Sequence, residues 1–563
     1  MAFMTSLASA TRAARRKELG AFYTPPEMAG QLVRWAVRDP CQTVLDPSFG
    51  GLVFLTAAYE RLRALGADEQ AARAQILGSE LDDSAYDEGQ RDAEVGASVR
   101  RLVHGDFLSF TPGKDLPIVD AVVGNPPYVR YQGFNGSGTL GHDLAARAGV
   151  RLTRLASSWA PFVVHGTAFL KKGGRMAQVL PAEILHAQYA EDVLGFFRRS
   201  FAAVTLVLFE ERVFPGALEE VVLLLAEGRG AGPADDVHVV EHVDLAALDV
   251  DGLPPLSPLA ERLPTVPGDS LLAQLLPNRT RRLYGDLQRQ ADVSALAALA
   301  SVDIGAVTGG NDFFMVSAND ARVPARFLRP AVSKAAHIPG ARLTASDHRR
   351  LNAEGRPAQM LVVGRNHSEA DLAELRPYLA SGERRGISAR YKCRVRSPWW
   401  SVPLPKHGTP AALMTYCSSE HPRLVVNEAG VLHTNTVHGL TINGEMPVAE
   451  LAARFLNSLT LLSAELVGRS YGGGVLKLEP TEAEAVLIPR GPGEVSDRLA
   501  DVDVLLRGQG LSAVLDLVDP LVLGAGGLGL DADQIASLRA AAEQLRARRR
   551  ARGKAPRPAQ LTL

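Results

Sequence analysis

Short apolar runs alternate with helix-like stretches from about residue 20 to residue 230, and this alternation constrains the fold more than any other feature. The runs are rich in Val, Ile and Leu and span residues 43–45, 75–77, 102–103, 121–123, 176–180, 204–209 and 221–225. Strands that alternate with helices form open, mostly parallel sheets covered by helices. We therefore predict an α/β domain, with one crossover helix over residues 52–73 that Gly66 interrupts.

The second half of the chain lacks this alternation. Five prolines fall between residues 251 and 268, where they disfavour a central helix or strand, and we place a domain boundary there. The predicted organisation is a first domain over residues 18–250, a linker over 251–267, a mixed α+β domain over 268–530, and a C-terminal helix with a basic tail over 531–563.

Composition limits the classes of protein to consider. The 563 residues carry 61 basic and 62 acidic side chains, so a polyanion would have to bind a local basic patch. Three widely spaced cysteines argue against a disulfide framework and against a Cys-rich zinc site. No apolar run approaches the roughly 18 residues that span a bilayer, and the N-terminal basic cluster is in the wrong order for a secretory signal. We expect a cytoplasmic protein with no metal and no membrane contact.

The turn after the first strand, Asp46-Pro47-Ser48-Phe49-Gly50, has the character of a cofactor loop. Ligands of open α/β sheets bind beyond the carboxyl ends of the strands, where glycine lets the backbone approach them closely. The turn is not a G-x-G-x-x-G motif, and its acidic residue suits a cationic amino-acid group such as that of S-adenosylmethionine. By itself the segment is equally consistent with an ordinary Asp-Pro turn.

Acidic residues also follow the next two strands. Glu80, followed by Leu81, is placed to accept hydrogen bonds from both ribose hydroxyls of a nucleoside. Asp106 can accept from the exocyclic amine of an adenine whose face packs against Phe107. Each segment alone could equally be a solvated loop or turn.

The most specific motif is Asn125-Pro126-Pro127-Tyr128, after the fourth apolar run. The prolines remove two N–H donors and restrict the backbone, so the Asn125 amide oxygen and the Pro126 carbonyl can accept from both N–H bonds of a planar amine. These contacts draw electron density onto the amine nitrogen and free its lone pair to attack a methyl group. Tyr128 offers a face for stacking.

In order, Gly20-Ala21-Phe22-Tyr23-Thr24-Pro25-Pro26-Glu27, the Asp46 turn, Glu80, Asp106 and the Asn125 motif resemble the gamma-class, Taq-type DNA adenine-N6 methyltransferases of bacterial restriction-modification systems. The resemblance covers roughly residues 18–230. It implies a Rossmann-like, class I S-adenosylmethionine-dependent methyltransferase domain, a target-recognition domain after it, and an adenine flipped out of duplex DNA. It also implies cofactor contacts from Tyr23, Thr24, Asp46, Pro47, Ser48, Gly50, Glu80, Leu81, Asp106 and Phe107, and target contacts from Asn125, Pro126, Pro127 and Tyr128.

Two further positions bear on this resemblance. The segment Glu211 to Gly216 looks like the family's later motif, which implies that Phe214 packs on the other face of the flipped base, although a core phenylalanine fits this position too. The family commonly has a second glycine in the cofactor turn where this chain has Leu52, so the geometry of the turn and its affinity for the cofactor are open questions.

The second half supplies candidate DNA contacts. Residues 376–400 carry seven basic side chains and one acidic one, with aromatic residues between them, and a glycine-rich segment follows Arg469 and Tyr471. Basic side chains contact phosphates, and flat rings contact bases or sugars. The candidates are Arg390, Lys392, Arg394, Arg396, Trp399, Trp400, Arg469 and Tyr471. A solvated basic face and a flexible turn are the alternatives.

We therefore expect a site-specific DNA adenine-N6 methyltransferase that uses S-adenosylmethionine and binds double-stranded DNA. None of the nine lysines has Asp or Glu two residues before it, and only about 20 residues precede the first motif, so we expect no metal-dependent E-x-K nuclease core. Partners would be a separately encoded restriction endonuclease or defence-system proteins. The alternatives are an RNA adenine-N6 or protein glutamine-N5 methyltransferase, which also use N-P-P-Y, and a non-catalytic DNA-binding subunit.

Overall fold

The computed structural model describes most of the chain. The described residues are 24–91, 102–129, 137–153, 156–185, 188–211, 213, 220–248, 250, 270–364, 367–405, 407–471, 473–493 and 495–552. They form two compact units, divided between residues 275 and 276, and the second unit extends to Arg550. The predicted linker over residues 251–267 lies outside the described residues.

The first unit is built on an eight-stranded sheet, with strands in the order β3-β2-β1-β4-β5-β7-β6-β8. The strands are β1 Val44–Asp46, β2 Ile76–Glu80, β3 Leu102–His104, β4 Val119–Gly124, β5 Leu170–Pro181, β6 Phe201–Phe209, β7 Val221–Arg229 and β8 Val237–His242. All neighbours from β3 to β5 pair in parallel, whereas β7 runs antiparallel to β5 and β6. The predicted α/β fold is confirmed, and each of the seven apolar runs overlaps a strand, while β8 was not predicted.

Helices join these strands. They are α1 Pro26–Ala36, α2 Val53–Ala64, α3 Glu69–Ala74, α4 Asp83–Arg91, α5 Ser137–Arg147, α6 Trp159–Thr167 and α7 Gln188–Ser200. The prediction of one helix over residues 52–73 is wrong, because α2 ends before Gly66, which has a φ of +107°, and Asp68 begins α3 by capping the N–H of Ala71. Leu32 of α1 and Leu55 of α2 are fully buried in one apolar cluster with Val123 of β4.

The second unit is a mixed α+β structure, as predicted. Its helices are α8 Asn278–Gln288, α9 Asn311–Phe314, α10 Ala345–Ala353, α11 Glu369–Arg384, α12 Tyr391–Arg394, α13 Val448–Arg454, α14 Ser458–Val467, α15 Pro480–Ala485, α16 Leu499–Gly508, α17 Leu511–Val522 and α18 Ala532–Arg552. Its strands are β9 Val293–Ala295, β10 Ala300–Ile304, β11 Met315–Val316, β12 Leu328–Val332, β13 Gln359–Leu361, β14 Ala412–Met414, β15 Cys417–Ser418, β16 Leu424–Val426, β17 Leu432–His433, β18 His438–Ile442, β19 Arg469–Tyr471, β20 Val475–Lys477 and β21 Leu487–Pro489. They form small sheets in the orders β10-β18-β14-β16, β11-β13-β12-β17, β15-β20-β19 and β21-β9.

Several polar side chains of this unit are buried. Near the end of α18, Arg549 is buried, pairs with Glu465 at 2.7 Å and donates to the carbonyl of Gly474. His433 on β17 and His438 on β18 are both about 1% exposed. In the described part of the chain, no helix combines the length and apolar character that a membrane crossing requires.

Candidate active site

The four predicted motif turns of the first unit leave the same edge of its sheet. Asp46 ends β1, Glu80 ends β2, Asp106 follows β3, and Asn125 follows β4. Because β3, β2, β1 and β4 are adjacent and parallel, their carboxyl ends lie side by side. Residues up to 79 positions apart along the chain are thereby brought to one edge of the sheet.

The turn after β1 is shaped by close backbone packing. The Ser48 N–H donates to Asp46 Oδ1 at 3.0 Å, and Gly50 has a φ of +48°. Gly124, at the end of β4, has a φ of +152°, and a Cβ atom placed there would lie 2.7 Å from Asp46 Oδ1. Only glycine lets β4 approach Asp46 this closely. This requirement belongs to tertiary packing, and the sequence analysis assigned no role to Gly124.

Asp46 is a buried carboxyl group with unusual electrostatics. Its side chain is 1% exposed, and its Oδ2 atom has no hydrogen-bond partner among the described residues. Burial, together with the nearby Glu80, raises the pKa of Asp46 from 3.8 to about 8, while the bond from the Ser48 N–H opposes that rise. A buried acceptor of this kind is stabilised by a bound cation, so Asp46 fits the ammonium group of an amino-acid ligand.

Glu80 organises the neighbouring turn as well as facing the site. Its Oε2 accepts from the Gly50 N–H at 2.9 Å, and its Oε1 accepts from the N–H groups of Leu81 and Asp82. A carboxylate has about four acceptor positions, and these bonds use three of them. In this conformation Glu80 can therefore hold one ribose hydroxyl, whereas the sequence suggested both. Burial raises the pKa of Glu80 despite these backbone bonds.

Leu81 is exposed beside Glu80. Its side chain is 58% exposed although it is a large apolar residue next to a buried sheet. An exposed leucine at a ligand-binding edge provides an apolar surface for a flat ring. The predicted assignment of Leu81 to the cofactor site is consistent with this position.

Asp106 and Phe107 have different environments. Asp106 Oδ1 caps a short 3-10 helix, Phe107–Ser109, by accepting from the Leu108 N–H at 3.0 Å. The ring of Phe107 is 1% exposed and packs against Phe162 and Phe169. The prediction that this ring packs on a cofactor adenine is wrong for this structure, because apolar burial has placed it in the protein core.

Asn125 meets the N-terminal motif. Its Nδ2 atom donates to Thr24 Oγ1 at 3.1 Å, and its backbone carbonyl accepts from Ser48 Oγ at 3.4 Å. Thr24 is only 3% exposed. Three of the predicted motifs therefore meet at Asn125, and the bond to Thr24 sets the direction in which its amide faces.

The proline loop that follows Asn125 is anchored on both sides. The Tyr128 hydroxyl donates to the carbonyl of Val179 on β5 at 2.8 Å, which restrains its ring. Ser158 lies on the other side: its Oγ donates to the Pro127 carbonyl and accepts from the Val129 N–H at 2.9 Å, while its own N–H donates to the Val129 carbonyl. Sequence reasoning missed Ser158, since no local pattern connects it to a loop about 30 residues earlier.

The remaining predicted residues of the first unit are Pro47, Pro126, Tyr23 and Phe214. Pro47 lies in the turn after β1, where its carbonyl accepts from Ser79 Oγ at 2.7 Å, and Pro126 is buried. Tyr23 and Phe214 lie outside the described residues, so their assignments stay predictions.

Leu52 has a left-handed backbone conformation, which is the conformation that favours glycine at this position of the turn. Its φ is +65°, and it is the one non-glycine residue with positive φ in the described part of the chain. The left-handed region costs an L-residue about 1–2 kcal/mol. Leu52 also buries its side chain in the apolar cluster next to α2, being only 7% exposed, and this burial offsets the strain.

Several side chains of the second unit that were predicted to contact DNA instead bond to or pack against other parts of the protein. Arg390 pairs with Asp312 at 2.5 Å, and this hydrogen-bonded pair holds the pKa of Asp312 below its usual value. Arg396 donates to the carbonyls of Val307 and Thr308, and Trp399 packs against Phe313. Arg396 and Trp399 are half-buried and use part of their surface to hold the fold together, so their DNA contacts stay predictions.

Of the other candidate DNA contacts, some are held by neighbouring side chains and others are exposed to solvent. Trp400 is half-buried against Trp399, and Arg469 pairs with Glu482 at 2.6 Å. Lys392 and Arg394 are exposed, and Tyr471 is 62% exposed with the Lys477 ammonium 5.5 Å from its ring. Lys392, Arg394 and Tyr471 are thus the candidates that present open surface.

Comparison with known proteins finds a family match in each half of the chain. Residues 3–244 match the family described as N-6 DNA Methylase, and residues 269–523 match the family described as the C-terminal domain of Type II methyltransferase M.Eco57I. The two matched segments follow each other along the chain, with the proline-rich segment between them.

Curated relatives match over most of their length. Type II methyltransferase M.AccI of Acinetobacter calcoaceticus is 22% identical over 83% of this chain and 84% of that protein. Type II methyltransferase M.XamI of Xanthomonas campestris pv. amaranthicola is 25% identical over 84% of this chain and 86% of that protein. The solved structure of the Type IIL restriction-modification enzyme MmeI in complex with DNA has a TM-score of 0.54 and 12% identity, covering 92% of this chain and 75% of that one, which is a likeness of fold.

Proposed function

We propose that this chain, whose residues 3–244 match the family described as N-6 DNA Methylase, transfers a methyl group from S-adenosylmethionine to the N6 amine of adenine at a fixed sequence in duplex DNA. The observation that carries this proposal is the meeting of Asn125, Thr24 and the Asp46 turn at one sheet edge. A cofactor site and an amine-binding motif share that edge, which is the arrangement that methyl transfer to an amine requires.

The residues at this edge fit S-adenosylmethionine. The buried Asp46 carboxylate would hold the ammonium group, Glu80 a ribose hydroxyl, and Leu81 one face of the adenine. When bound, the cofactor supplies an electrophilic methyl carbon on a sulfonium sulfur, which departs as a neutral thioether. The protein needs no metal for this chemistry, since its contribution is to position and polarise the amine.

The Asn125 motif would bind the target amine. The Asn125 amide oxygen and the Pro126 carbonyl accept the two N–H bonds, which raises electron density on nitrogen and directs its lone pair toward the methyl carbon. Thr24 orients the Asn125 amide, and Ser158 with Tyr128 anchors the loop. An amine inside a stacked duplex cannot reach such a loop, so we infer that the adenine is flipped out, with Tyr128 and Phe214 against its faces.

The second half would recognise the DNA sequence. Its match to a Type II methyltransferase C-terminal domain supports this assignment, as does the exposed basic and aromatic surface around α12. The Type II methyltransferase names of the relatives support a role in restriction-modification, with a separately encoded endonuclease as partner.

The proposal is tested by single-molecule modification sequencing of a methylation-free bacterial host that expresses the chain, beside a host that expresses Asn125→Ala. We expect N6-methyladenine at one fixed motif with the natural chain and none with the variant, while both purified proteins bind S-adenosylmethionine. No new mark on DNA, together with cofactor binding, would overturn the DNA assignment and favour an RNA or protein substrate. DNA binding without any cofactor binding would instead favour a non-catalytic subunit.

A further inference from the structure

The short helix α12 of the second unit is held firmly from beneath. Cys393 in its middle is fully buried, and its thiol lies 3.6 Å from the carbonyl of Thr308. Arg396 donates to the same carbonyl at 2.8 Å and also to that of Val307. Gly309 allows this approach, because a Cβ atom there would lie 2.8 Å from the Cβ of Lys392. These contacts fix which face of α12 points outward.

The outward face of α12 is apolar at its centre and basic at its edges. Tyr391 is 65% exposed and Val395 is 62% exposed, and they lie one helical turn apart, with the Val395 N–H donating to the Tyr391 carbonyl at 3.3 Å. Two neighbouring exposed apolar side chains on a rigid element offer a contiguous apolar surface to a ligand. We call Tyr391 and Val395 the α12 ridge.

The charge around the ridge indicates the kind of partner. Asp312 already pairs with both Arg385 and Arg390, and its one negative charge offsets one of their two positive charges. Arg384, Lys392 and Arg394 are exposed, and none of them pairs with a carboxylate in the part of the chain that the structure describes. Lys392 and Arg394 adjoin the ridge residues in the chain, and the Lys392 ammonium lies 5.5 Å from the Tyr391 ring. Exposed cations beside an apolar ridge match a polyanion that also presents flat apolar surface between its charges, which is the character of a nucleic acid groove.

We propose that the α12 ridge contacts bases and sugars in a groove of the recognised duplex, while Lys392 and Arg394 contact the flanking phosphates. This inference rests on the proposed function. Within the basic segment of residues 376–400, it assigns DNA contact to one surface formed by the α12 ridge, Lys392 and Arg394. Tyr391 can stack or wedge against a base step, and Val395 can fill the adjacent apolar space. Arg396 supports the ridge through its hydrogen bonds to the carbonyls of Val307 and Thr308.

The test measures binding of full-length protein to a short fluorescein-labelled duplex that carries the methylated motif, and to the same duplex with the motif scrambled, at several salt concentrations. We expect Tyr391→Ala to weaken binding to the motif duplex about 10-fold or more, since a stacked base contributes substantially to affinity. Tyr391→Phe should retain most of the affinity. Lys392→Ala and Arg394→Ala should each reduce the salt-dependence slope by about 1 on both duplexes.

Val504 serves as a control for Val395, because replacing either valine with alanine removes a similar amount of exposed apolar surface. Val504 of α16 is 69% exposed, close to the 62% of Val395, so Val504→Ala should leave DNA affinity unchanged whereas Val395→Ala lowers it. Unchanged melting temperature and cofactor affinity in every variant exclude misfolding as the cause. If natural protein methylates DNA but the Tyr391 and Val395 variants bind the motif duplex as it does, the ridge proposal is overturned alone. If natural protein binds no duplex and leaves no mark, the ridge proposal and the proposed function are both overturned.

Discussion

The sheet edge of the first unit and the arginine-rich segment of the second unit are both predicted from sequence to bind ligands, yet the fold uses them differently. At the sheet edge, parallel strands bring separate motifs together and leave a buried Asp46 oxygen with no described partner. In the arginine-rich segment, Arg390 and Arg396 are already bound to Asp312 and to backbone carbonyls. Ordered motifs on a sheet therefore come together at one edge, whereas a cluster of like charges divides into side chains bound within the protein and side chains exposed to solvent.

The reason lies in what each pattern specifies. The end of a parallel strand defines a position in space relative to its neighbours, so residues such as Glu80 and Asn125 are placed by topology alone. A run of basic residues specifies only composition, and whether Arg394 faces solvent while Arg396 faces the interior depends on tertiary packing. Substitutions in both regions test this difference.

The largest effect is expected from Gly124→Ala at the sheet edge. The new Cβ would lie 2.7 Å from Asp46 Oδ1 and displace the carboxylate that we propose holds the cofactor ammonium, so cofactor affinity should fall about 10- to 100-fold. Equilibrium binding of S-adenosylmethionine measures this. Gly173→Ala is the control, because Gly173 also has positive φ, +81°, but nothing lies within 4 Å of an added Cβ. Equal losses in both variants would show that backbone strain, and not displacement of Asp46, is responsible.

Ser158→Ala should slow methyl transfer about 10-fold, since the proline loop loses hydrogen bonds that each contribute about 1 kcal/mol to its position. We expect the effect in kcat, with KM and cofactor affinity nearly unchanged, in single-turnover and steady-state assays. The adjacent Ser157 is also buried but bonds to Glu183 at 2.7 Å and not to the loop, so Ser157→Ala should retain kcat. A loss shared by both variants would contradict a role specific to the loop.

We expect Arg396→Ala to reduce the stability of the fold and Arg394→Ala to leave it nearly unchanged. Arg396→Ala removes two hydrogen bonds to backbone carbonyls and should lower the free energy of unfolding by about 1–3 kcal/mol. Arg394→Ala should change stability by less than about 0.5 kcal/mol, because this exposed side chain has no such role. Denaturant titration of both variants measures this. A stability loss as large for Arg394→Ala would mean that the structural and exposed arginines have been assigned wrongly.

The raised pKa of Asp46 predicts that protons are released when the cofactor binds. Without a ligand the folded chain holds this proton up to about pH 8, whereas an unfolded carboxyl loses it near 3.8, so stability falls as pH rises through this window. A bound ammonium lowers the pKa of Asp46, and about one proton should leave at neutral pH, with affinity rising toward pH 8. Calorimetry in buffers of different ionisation enthalpy measures the release, which Asp46→Asn should abolish.

The smallest effect is expected at Leu52. Glycine there would relieve about 1–2 kcal/mol of left-handed strain but lose a buried side chain worth about 1.5–3 kcal/mol, so Leu52→Gly should lower stability by about 1 kcal/mol. Cofactor affinity should change less than about threefold, since the backbone already has the glycine conformation, with φ +65°. A clear gain in affinity would show instead that Leu52 distorts the turn.

The sequence by itself determined the α/β class of the first unit, the order of its motifs and the edge at which they meet. Short apolar runs and period-3.6 apolar patterns are local, and they specify strands and helices before any long-range contact forms. Phe107 shows the limit of such reasoning, since an aromatic residue next to Asp106 suits a stacking role or a core position equally, and its contacts with Phe162 and Phe169 decided for the core.

Packing between distant segments decides which side chains are buried, which are paired and which are exposed to solvent. It placed Gly124 against Asp46, brought Ser158 to the proline loop, paired Arg390 with Asp312 and left Tyr391 exposed beside Lys392. These outcomes depend on contacts between segments far apart in the chain, and no local pattern records them. Burial and hydrogen bonding set the charge and availability of a side chain, and both are properties of its surroundings in the folded protein.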